Sequence, residues 1–113
     1  MVDAGPELKV SCQEVFGPVV TLGRYRDFEA AVRTADDTAY GLQAGVFTHD
    51  IRRIRHAVEN LNVGGLVVND TPTTRIDSMP YGGVRESGIG REGPRYAMHE
   101  MSEPKLVLFN LDH

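Results

Sequence analysis

The amino-acid sequence predicts an α/β fold of the three-layer type, in which a parallel sheet carries helices on its faces. Short apolar runs alternate along the chain with amphipathic segments, and the apolar positions of those segments recur at helical spacing. Glycine, proline and aspartate mark the boundaries between the segments. With 113 residues the chain has the length of one domain, over 1–113.

The first strand is predicted at 19–25, directly after a Gly-Pro turn. Asp27 is a predicted helix N-cap, because its carboxylate can accept a hydrogen bond from an N–H group of the first turn. The apolar face of the following helix consists of Phe28, Ala31, Val32 and Ala35. This helix is expected to end near residue 36.

A second strand is predicted at 44–48, and Asp50 is expected to cap a second helix. The apolar face of that helix consists of Ile51, Ile54, Val58 and Leu61. Gly64 and Gly65 follow its end, as is typical of helix C-termini. The apolar run at 66–69 is then predicted to form a buried strand.

Residues 70–91 show no period and contain several glycines and prolines, which predicts a long irregular loop. A loop of this length inside a small domain is usually functional. A short helix is predicted from Pro94 to about residue 102, and a final strand at 106–109. The pattern G-x-G-x-x-G at 88–93 is interpreted as a flexible loop, because the dinucleotide fingerprint requires a strand before it.

The charged residues and the single cysteine limit the expected partners and compartment. The chain has 12 basic and 16 acidic residues and a net charge of −4, which argues against nucleic acid or an anionic membrane as a partner. No apolar run is long enough to span a bilayer, and no secretory signal is expected. A lone cysteine cannot build a disulfide framework, so the cytoplasm is the expected compartment. The four histidines lack metal-ligand spacing, so no metal site is predicted.

Five motifs occur in order along the chain. They are Glu14-Val15-Phe16-Gly17-Pro18, Asp36-Asp37-Thr38-Ala39-Tyr40-Gly41-Leu42, and the segments 44–48, 65–70 and 79–92. Together they resemble the C-terminal part of NAD(P)-dependent aldehyde dehydrogenases. The resemblance implies a partial catalytic domain of an oxidoreductase. Such enzymes oxidise an aldehyde to a carboxylic acid through a cysteine thiohemiacetal and pass the hydride to NAD(P)+.

The resemblance assigns no catalytic residue to this chain. The family's nucleophilic cysteine lies upstream of the Glu-x-Phe-Gly-Pro motif, so Cys12 does not correspond to it and is expected to be a small, partly buried apolar residue. Residues 61–65 are similar to the family's Glu-Leu-Gly-Gly motif, but Asn62 replaces the general-base glutamate. The Rossmann region is also absent. The chain alone is therefore expected to be inactive.

The resemblance implies two cofactor contacts. Glu14 corresponds to the glutamate that accepts hydrogen bonds from the nicotinamide ribose, a task for which a carboxylate is suited because it can accept from two vicinal hydroxyls. Phe16 corresponds to an aromatic ring at the same end of the cofactor. The alternatives are a solvated charge for Glu14 and a core position for Phe16. The cofactor is NAD or NADP, and this chain alone is not expected to bind it.

The loop after Asn69 lines the substrate tunnel in the family, which implies substrate contacts for Thr73, Thr74, Arg75 and Tyr81. This loop is similar to that of members acting on small polar aldehydes, such as lactaldehyde-like or phosphorylated substrates. Arg75 would pair with an anionic group of the substrate. A structural ion pair between Arg75 and Asp77 is an equally weighted alternative.

Residues 103–111 match a C-terminal strand that extends a sheet between neighbouring subunits in the family. An apolar strand with unpaired N–H and C=O groups favours pairing with another chain. The expected partner is a second copy, in a dimer or larger oligomer, or else a longer aldehyde dehydrogenase chain. The alternative function is a non-catalytic interaction or oligomerisation module derived from such an enzyme.

Overall fold

A computed structural model describes residues 3–111 of the chain. Its helices are α1 (Lys9–Cys12), α2 (Phe28–Asp36), α3 (Ile51–Asn60) and α4 (Pro94–Glu100). Its strands are β1 (Gln43–Val46) and β2 (Gly65–Val68), and a 3₁₀ turn covers Arg85–Ser87. The predicted α/β class is confirmed at this level, and the short helix α1 is an element that the sequence did not indicate.

The two strands lie side by side and parallel, and α3 forms the connection between them. Gln43 is paired with Gly65 at one end of the register, and Val46 with Val68 at the other. Parallel neighbours need a crossover connection, usually a helix, which is the role that α3 takes here. The strands predicted around residues 44–48 and 66–69 are thus confirmed within one to two residues.

Helices α2 and α3 begin at the two predicted caps. The Asp27 side chain accepts a hydrogen bond from the Ala30 N–H at 2.7 Å, and Asp50 accepts one from the Arg52 N–H at 2.9 Å. Each cap satisfies an N–H group that would otherwise lack a partner at the start of a helix. The two helices then pack against each other.

The apolar core of the described residues is small. Val32 on α2 and Ala57 on α3 are its buried apolar side chains. At its edge the Phe28 and His56 rings meet in a T-shaped contact, with 6.2 Å between ring centroids. This α2–α3 contact and the strand pair form the compact part of the chain.

Two predicted strands are not formed within this chain. Among the described residues, 19–25 and 106–109 contain no strand and the sheet has two strands, so the three-layer arrangement and the C-terminal strand stay predictions. A strand forms only when a neighbouring backbone accepts hydrogen bonds from its N–H groups and donates hydrogen bonds to its C=O groups. Neither β1 nor β2 pairs with these segments, and side chains such as Leu22 and Leu106 are 58% and 91% exposed.

The chain is more extended than a compact domain of its length. Its radius of gyration is 19.3 Å and its longest dimension is 75 Å, whereas a compact domain has a radius of about 13 Å. Its accessible surface is 9553 Å², against about 6,200 Å² for a folded monomer of this mass. Much of the excess is apolar surface of the segments before α2 and after α4, including Phe16, Val20, Leu108 and Phe109. None of the helices between residues 3 and 111 is long and apolar enough to cross a membrane.

Candidate functional site

The end of the irregular loop after β2 is attached to the segment that connects α2 to β1. The Val84 N–H donates to the Gly41 carbonyl and the Glu86 N–H to the Ala39 carbonyl, both at 3.0 Å. In the opposite direction, the Gly41 N–H donates to the Ser87 hydroxyl oxygen at 2.9 Å. These three bonds fix residues 84–87 beside the strand pair although they are far from it in sequence.

Arg85 ties this attachment to the end of α2. Its Nη1 donates to the carbonyl oxygens of Asp36, Thr38 and Tyr40 at 2.6, 2.9 and 3.4 Å, and its Nη2 donates to Asp36 Oδ2 at 2.7 Å. The backbone of Arg85 has a φ of 56°, in the left-handed region that non-glycine residues rarely adopt. One guanidinium thus satisfies carbonyl groups at and beyond the helix C-terminus, where a cation is also favoured by the helix dipole.

Asp36 makes this junction dependent on pH. The Asn62 N–H donates to its carboxylate, and this bond, followed by the bond from Arg85, holds the pKa of Asp36 below its usual value of 3.8. The unfolded chain therefore takes up the proton first as the pH falls. Stability from Asp36 is complete well above pH 3.8 and is lost as the pH drops through that value towards the folded pKa.

Asp36→Asn is expected to weaken this acid sensitivity. The urea midpoint of the wild-type chain should fall between about pH 6 and about pH 3, and that of the variant should fall less and start lower. Asp77→Asn is the matched control, because Asp77 is an exposed aspartate that takes no part in this junction, and it should leave the pH dependence close to that of the wild type. Identical slopes for wild type and Asp36→Asn would contradict the prediction.

A narrow groove contains one of the two predicted cofactor residues. Glu14 lies there with Cys12, Tyr40 and Ser87, around a cavity of about 340 Å³. Phe16 does not line this groove, and its ring is 94% exposed. Of the predicted pair, only Glu14 is placed in a concave site.

Cys12 is exposed, so the expectation that it is partly buried is wrong. The reason is local: it ends α1, a helix of four residues that buries none of its side chains. A reactive thiol needs a positive neighbour or a base that favours the thiolate. The lining of the Glu14 groove contains no lysine, arginine or histidine, whereas a second cavity that Cys12 borders includes Arg33 and Arg85.

Arg75, Tyr81 and Glu92 form a cluster in the loop after β2. The Arg75 guanidinium carbon lies 4.5 Å from the centroid of the Tyr81 ring, and Arg75 Nη2 lies 3.0 Å from Glu92 Oε2. The ion pair of Arg75 is therefore with Glu92, and the alternative of a pair with Asp77 is wrong. The Arg75 side chain remains 47% exposed. A guanidinium held this way keeps further N–H donors for a second acceptor.

The two predicted threonines are involved in hydrogen bonds within their own loop. The Thr73 and Thr71 hydroxyl oxygens are 2.7 Å apart. The Thr74 side chain bonds to Asp70, and its backbone N–H donates to the Thr71 carbonyl at 3.1 Å. Their contact with substrate stays a prediction, whereas their role in shaping the loop is visible.

Sequence reasoning missed Glu92 and the pair of Arg85 with Asp36. Glu92 stands in a motif that was noted, but its partner Arg75 is 17 residues away in an aperiodic loop. Arg85 and Asp36 are 49 residues apart, and no local pattern connects them. Among residues 3–111, no three His, Cys, Asp or Glu side chains are grouped to hold a metal ion.

Comparison with known proteins places the chain in a family. The sequence profile of the aldehyde dehydrogenase family matches residues 1–107. The 3-sulfolactaldehyde dehydrogenase of Priestia aryabhattai is 44% identical over 111 residues, which are 98% of this chain and 23% of that protein. The lactaldehyde dehydrogenase of Methanococcus aeolicus is 46% identical over 97 residues, 86% of this chain and 21% of that protein.

Solved structures agree with these relatives. Aldehyde dehydrogenase 21 from Physcomitrella patens, in complex with its reaction product succinate, superposes with a TM-score of 0.93 and 47% identity over 98% of this chain and 23% of that one. The NADP complex of glyceraldehyde-3-phosphate dehydrogenase from Methanocaldococcus jannaschii has a TM-score of 0.74 and 46% identity over 78% of this chain and 19% of that one. The chain thus spans less than a quarter of the proteins it matches, and it belongs to the aldehyde dehydrogenase family.

Proposed function

We propose that the chain is the C-terminal part of an NAD(P)-dependent dehydrogenase that oxidises a small aldehyde carrying an anionic group. The observation that carries this proposal is Arg75, whose guanidinium is supported by the Tyr81 ring and is still half exposed. A planar guanidinium can give two parallel N–H bonds to a sulfonate, phosphate or carboxylate. A fixed arginine in a loop that lines the substrate tunnel in the family suits such a group.

The names of the similar proteins support an anionic substrate. Sulfolactaldehyde and glyceraldehyde 3-phosphate each carry an anionic group, and the Physcomitrella patens enzyme was crystallised with the dicarboxylate succinate. The relative named for lactaldehyde indicates a second candidate substrate, a small uncharged hydroxyaldehyde. An anionic aldehyde should need Arg75 for turnover, whereas an uncharged hydroxyaldehyde should not.

Glu14 is proposed to contact the ribose of the cofactor. Its carboxylate is exposed at a groove of about 340 Å³, a size suited to one part of a dinucleotide. NAD(P)+, when bound, supplies the acceptor for the hydride. The chain contributes a ribose acceptor and a wall of the substrate tunnel, while the nucleophilic thiol and the water-activating base are proposed to come from regions outside it.

Residues 103–111 are proposed to pair with a neighbouring subunit. Leu106, Leu108 and Leu111 are 91%, 88% and 86% exposed, and no strand of the described residues pairs with them. An exposed apolar segment is a suitable added strand for another sheet. If residues 103–111 do not pair between subunits, sedimentation of a chimera in which this chain completes a longer relative should show only monomers.

The proposal is tested in a chimera in which this chain replaces the matching 111 residues of the Priestia enzyme. The chimera should oxidise 3-sulfolactaldehyde, and Arg75→Met should reduce kcat/KM for it by about 10- to 100-fold, the effect of losing a charge-assisted hydrogen bond. The same variant should leave turnover of lactaldehyde unchanged. The chain alone, mixed with NAD+ or NADP+ and either aldehyde, should form no reduced cofactor.

Arg55→Met is the matched control, because Arg55 is an exposed arginine paired with Glu59 on α3. It should leave both aldehydes unaffected. An Arg75 variant that oxidises 3-sulfolactaldehyde as well as the unmodified chimera would favour the uncharged substrate. Reduced cofactor produced by the chain alone would contradict the division of catalytic groups.

A further inference from the structure

The position of Arg75 depends on a backbone bridge between two residues that are distant in sequence. Tyr81 and Glu92 form an isolated antiparallel bridge, in which the Tyr81 N–H donates to the Glu92 carbonyl at 3.2 Å and the Glu92 N–H donates to the Tyr81 carbonyl at 2.6 Å. Residues directly opposite each other in such a bridge place their side chains on the same face. The ring and the carboxylate can therefore both reach one guanidinium.

The bridge is itself braced by its neighbours. Arg91 Nη1 donates to the Gly83 carbonyl at 2.9 Å and to the Gly90 carbonyl at 2.7 Å. At Gly82, which has a φ of 158°, an added Cβ would lie 2.6 Å from the Gly90 carbonyl oxygen. The two sides of the bridge thus pack against each other without space for a side chain at that point, which fixes the distance between Tyr81 and Glu92.

The two contacts constrain Arg75 in different ways. The Tyr81 ring lies against the guanidinium by a cation–π contact at 4.5 Å, which fixes the plane of the group. The Glu92 carboxylate accepts a hydrogen bond from Arg75 Nη2, with 3.0 Å between Nη2 and Oε2, which fixes the rotation of the guanidinium within its plane. An arginine side chain has many rotamers, so ordering it before an anion arrives reduces the entropy lost on binding.

We propose that Tyr81 and Glu92 are positioning residues that hold the Arg75 guanidinium ready for the anionic end of the aldehyde. The inference rests on the proposed function for the role of Arg75 itself. Glu92 touches no substrate in this scheme and acts through Arg75. Its carboxylate also offsets the positive charge of Arg75 when no anion is bound.

The ordering is tested by NMR on the 113-residue chain, through the Nε–Hε signal of Arg75, assigned by its loss in Arg75→Lys. The wild-type signal should be sharp and separated from those of the exposed arginines. Glu92→Ala and Tyr81→Ala should each move the chemical shift of this signal to that of a mobile, exposed arginine. Glu92→Gln and Tyr81→Phe should keep most of the separation, because an amide oxygen still accepts a hydrogen bond and a phenyl ring still presents a face.

Glu100→Ala is the matched control, since Glu100 is a carboxylate that lines a cavity of about 730 Å³ together with Glu92. It should leave the Arg75 signal unchanged. If the Arg75 signal of the wild type already has the chemical shift of a mobile arginine, the proposal is wrong. A signal unaffected by both Glu92→Ala and Tyr81→Ala would also overturn the proposal.

Kinetics of the chimera separate this inference from the proposed function. Glu92→Ala should raise KM for 3-sulfolactaldehyde about tenfold with little change in kcat, and Glu92→Gln should restore most of the loss. If Arg75→Met has no effect on that substrate, the proposed function fails, while a Glu92-dependent Arg75 signal still supports positioning. If Arg75→Met impairs the chimera but Glu92→Ala changes neither the signal nor KM, only the positioning role is wrong.

Discussion

Replacing Gly64 with alanine is expected to unfold most of the chain. A Cβ at this position would overlap the Gly82 carbonyl oxygen, and it would lie 3.1 Å from the Leu42 carbonyl oxygen. Both obstacles are backbone atoms, which cannot turn aside as the end of a side chain can. The Gly64 N–H also donates to the Gly41 carbonyl at 3.0 Å, so a shift that relieves the overlap breaks that bond.

The expected loss is about 3 kcal/mol or more, the upper range for overpacking. A core whose buried apolar side chains are Val32 and Ala57 leaves little stability to absorb such a loss. Urea denaturation followed by circular dichroism measures it. Gly23→Ala is the control, because no atom lies within 4 Å of a Cβ added there. Equal midpoints for Gly64→Ala and wild type would refute the predicted overlap.

Replacing Arg85 with methionine is expected to release the loop after β2 from α2. The change removes the donors to the carbonyls of Asp36, Thr38 and Tyr40 together with the bond to the Asp36 carboxylate. Loss of several hydrogen bonds from one charged donor should cost about 1.5–3 kcal/mol. Arg85→Lys should recover only a part, because an ammonium is a compact charge and lacks the planar fork of a guanidinium.

Hydrogen exchange at the amides of Gly41, Val84 and Glu86 reports on this release, since these amides make or adjoin the bonds at the junction. Their protection should fall in Arg85→Met and remain in Arg55→Met, which alters an exposed arginine on α3. Protection that stays at the wild-type level in Arg85→Met would mean that the backbone bonds alone hold the junction.

The elements predicted best are those whose signals are local. Asp27 and Asp50 cap α2 and α3 as their positions predict, because an N-cap contacts only the next few residues. The parallel pairing of β1 and β2 follows from the helix between them. These features need no information from distant parts of the chain.

Elements that depend on distant partners are harder to predict. The run at 19–25 has the composition of a strand, but composition sets only a preference and does not supply the neighbouring backbone. The strand predicted at 106–109 stays a prediction, because its expected partner is another subunit. Cys12 was predicted to be partly buried, but burial requires other residues to cover the side chain. Helix α1 has no buried residue, so Cys12 stays exposed.

The substrate contacts of the candidate site stay predictions, and the contacts among its residues were not predictable from sequence. Arg75 and Tyr81 were singled out from the family resemblance, and the structure brings them together. Arg75 pairs with Glu92 and not with Asp77 because of the backbone bridge between Tyr81 and Glu92, and no sequence periodicity predicts that bridge. Contacts between residues in irregular loops are decided by tertiary packing, so sequence patterns give little guidance there.

The loop after β2 has two parts that are held differently. Residues 84–87 bond to the segment before β1, whereas the Thr74 N–H bonds to Thr71 and the Met79 N–H to Ile76, both within 71–79. Substitutions in 71–79 can therefore change the shape of this part of the loop while residues 84–87 keep their attachment. If this part of the loop lines a substrate tunnel, as proposed, its substrate preference can change without a change in the framework.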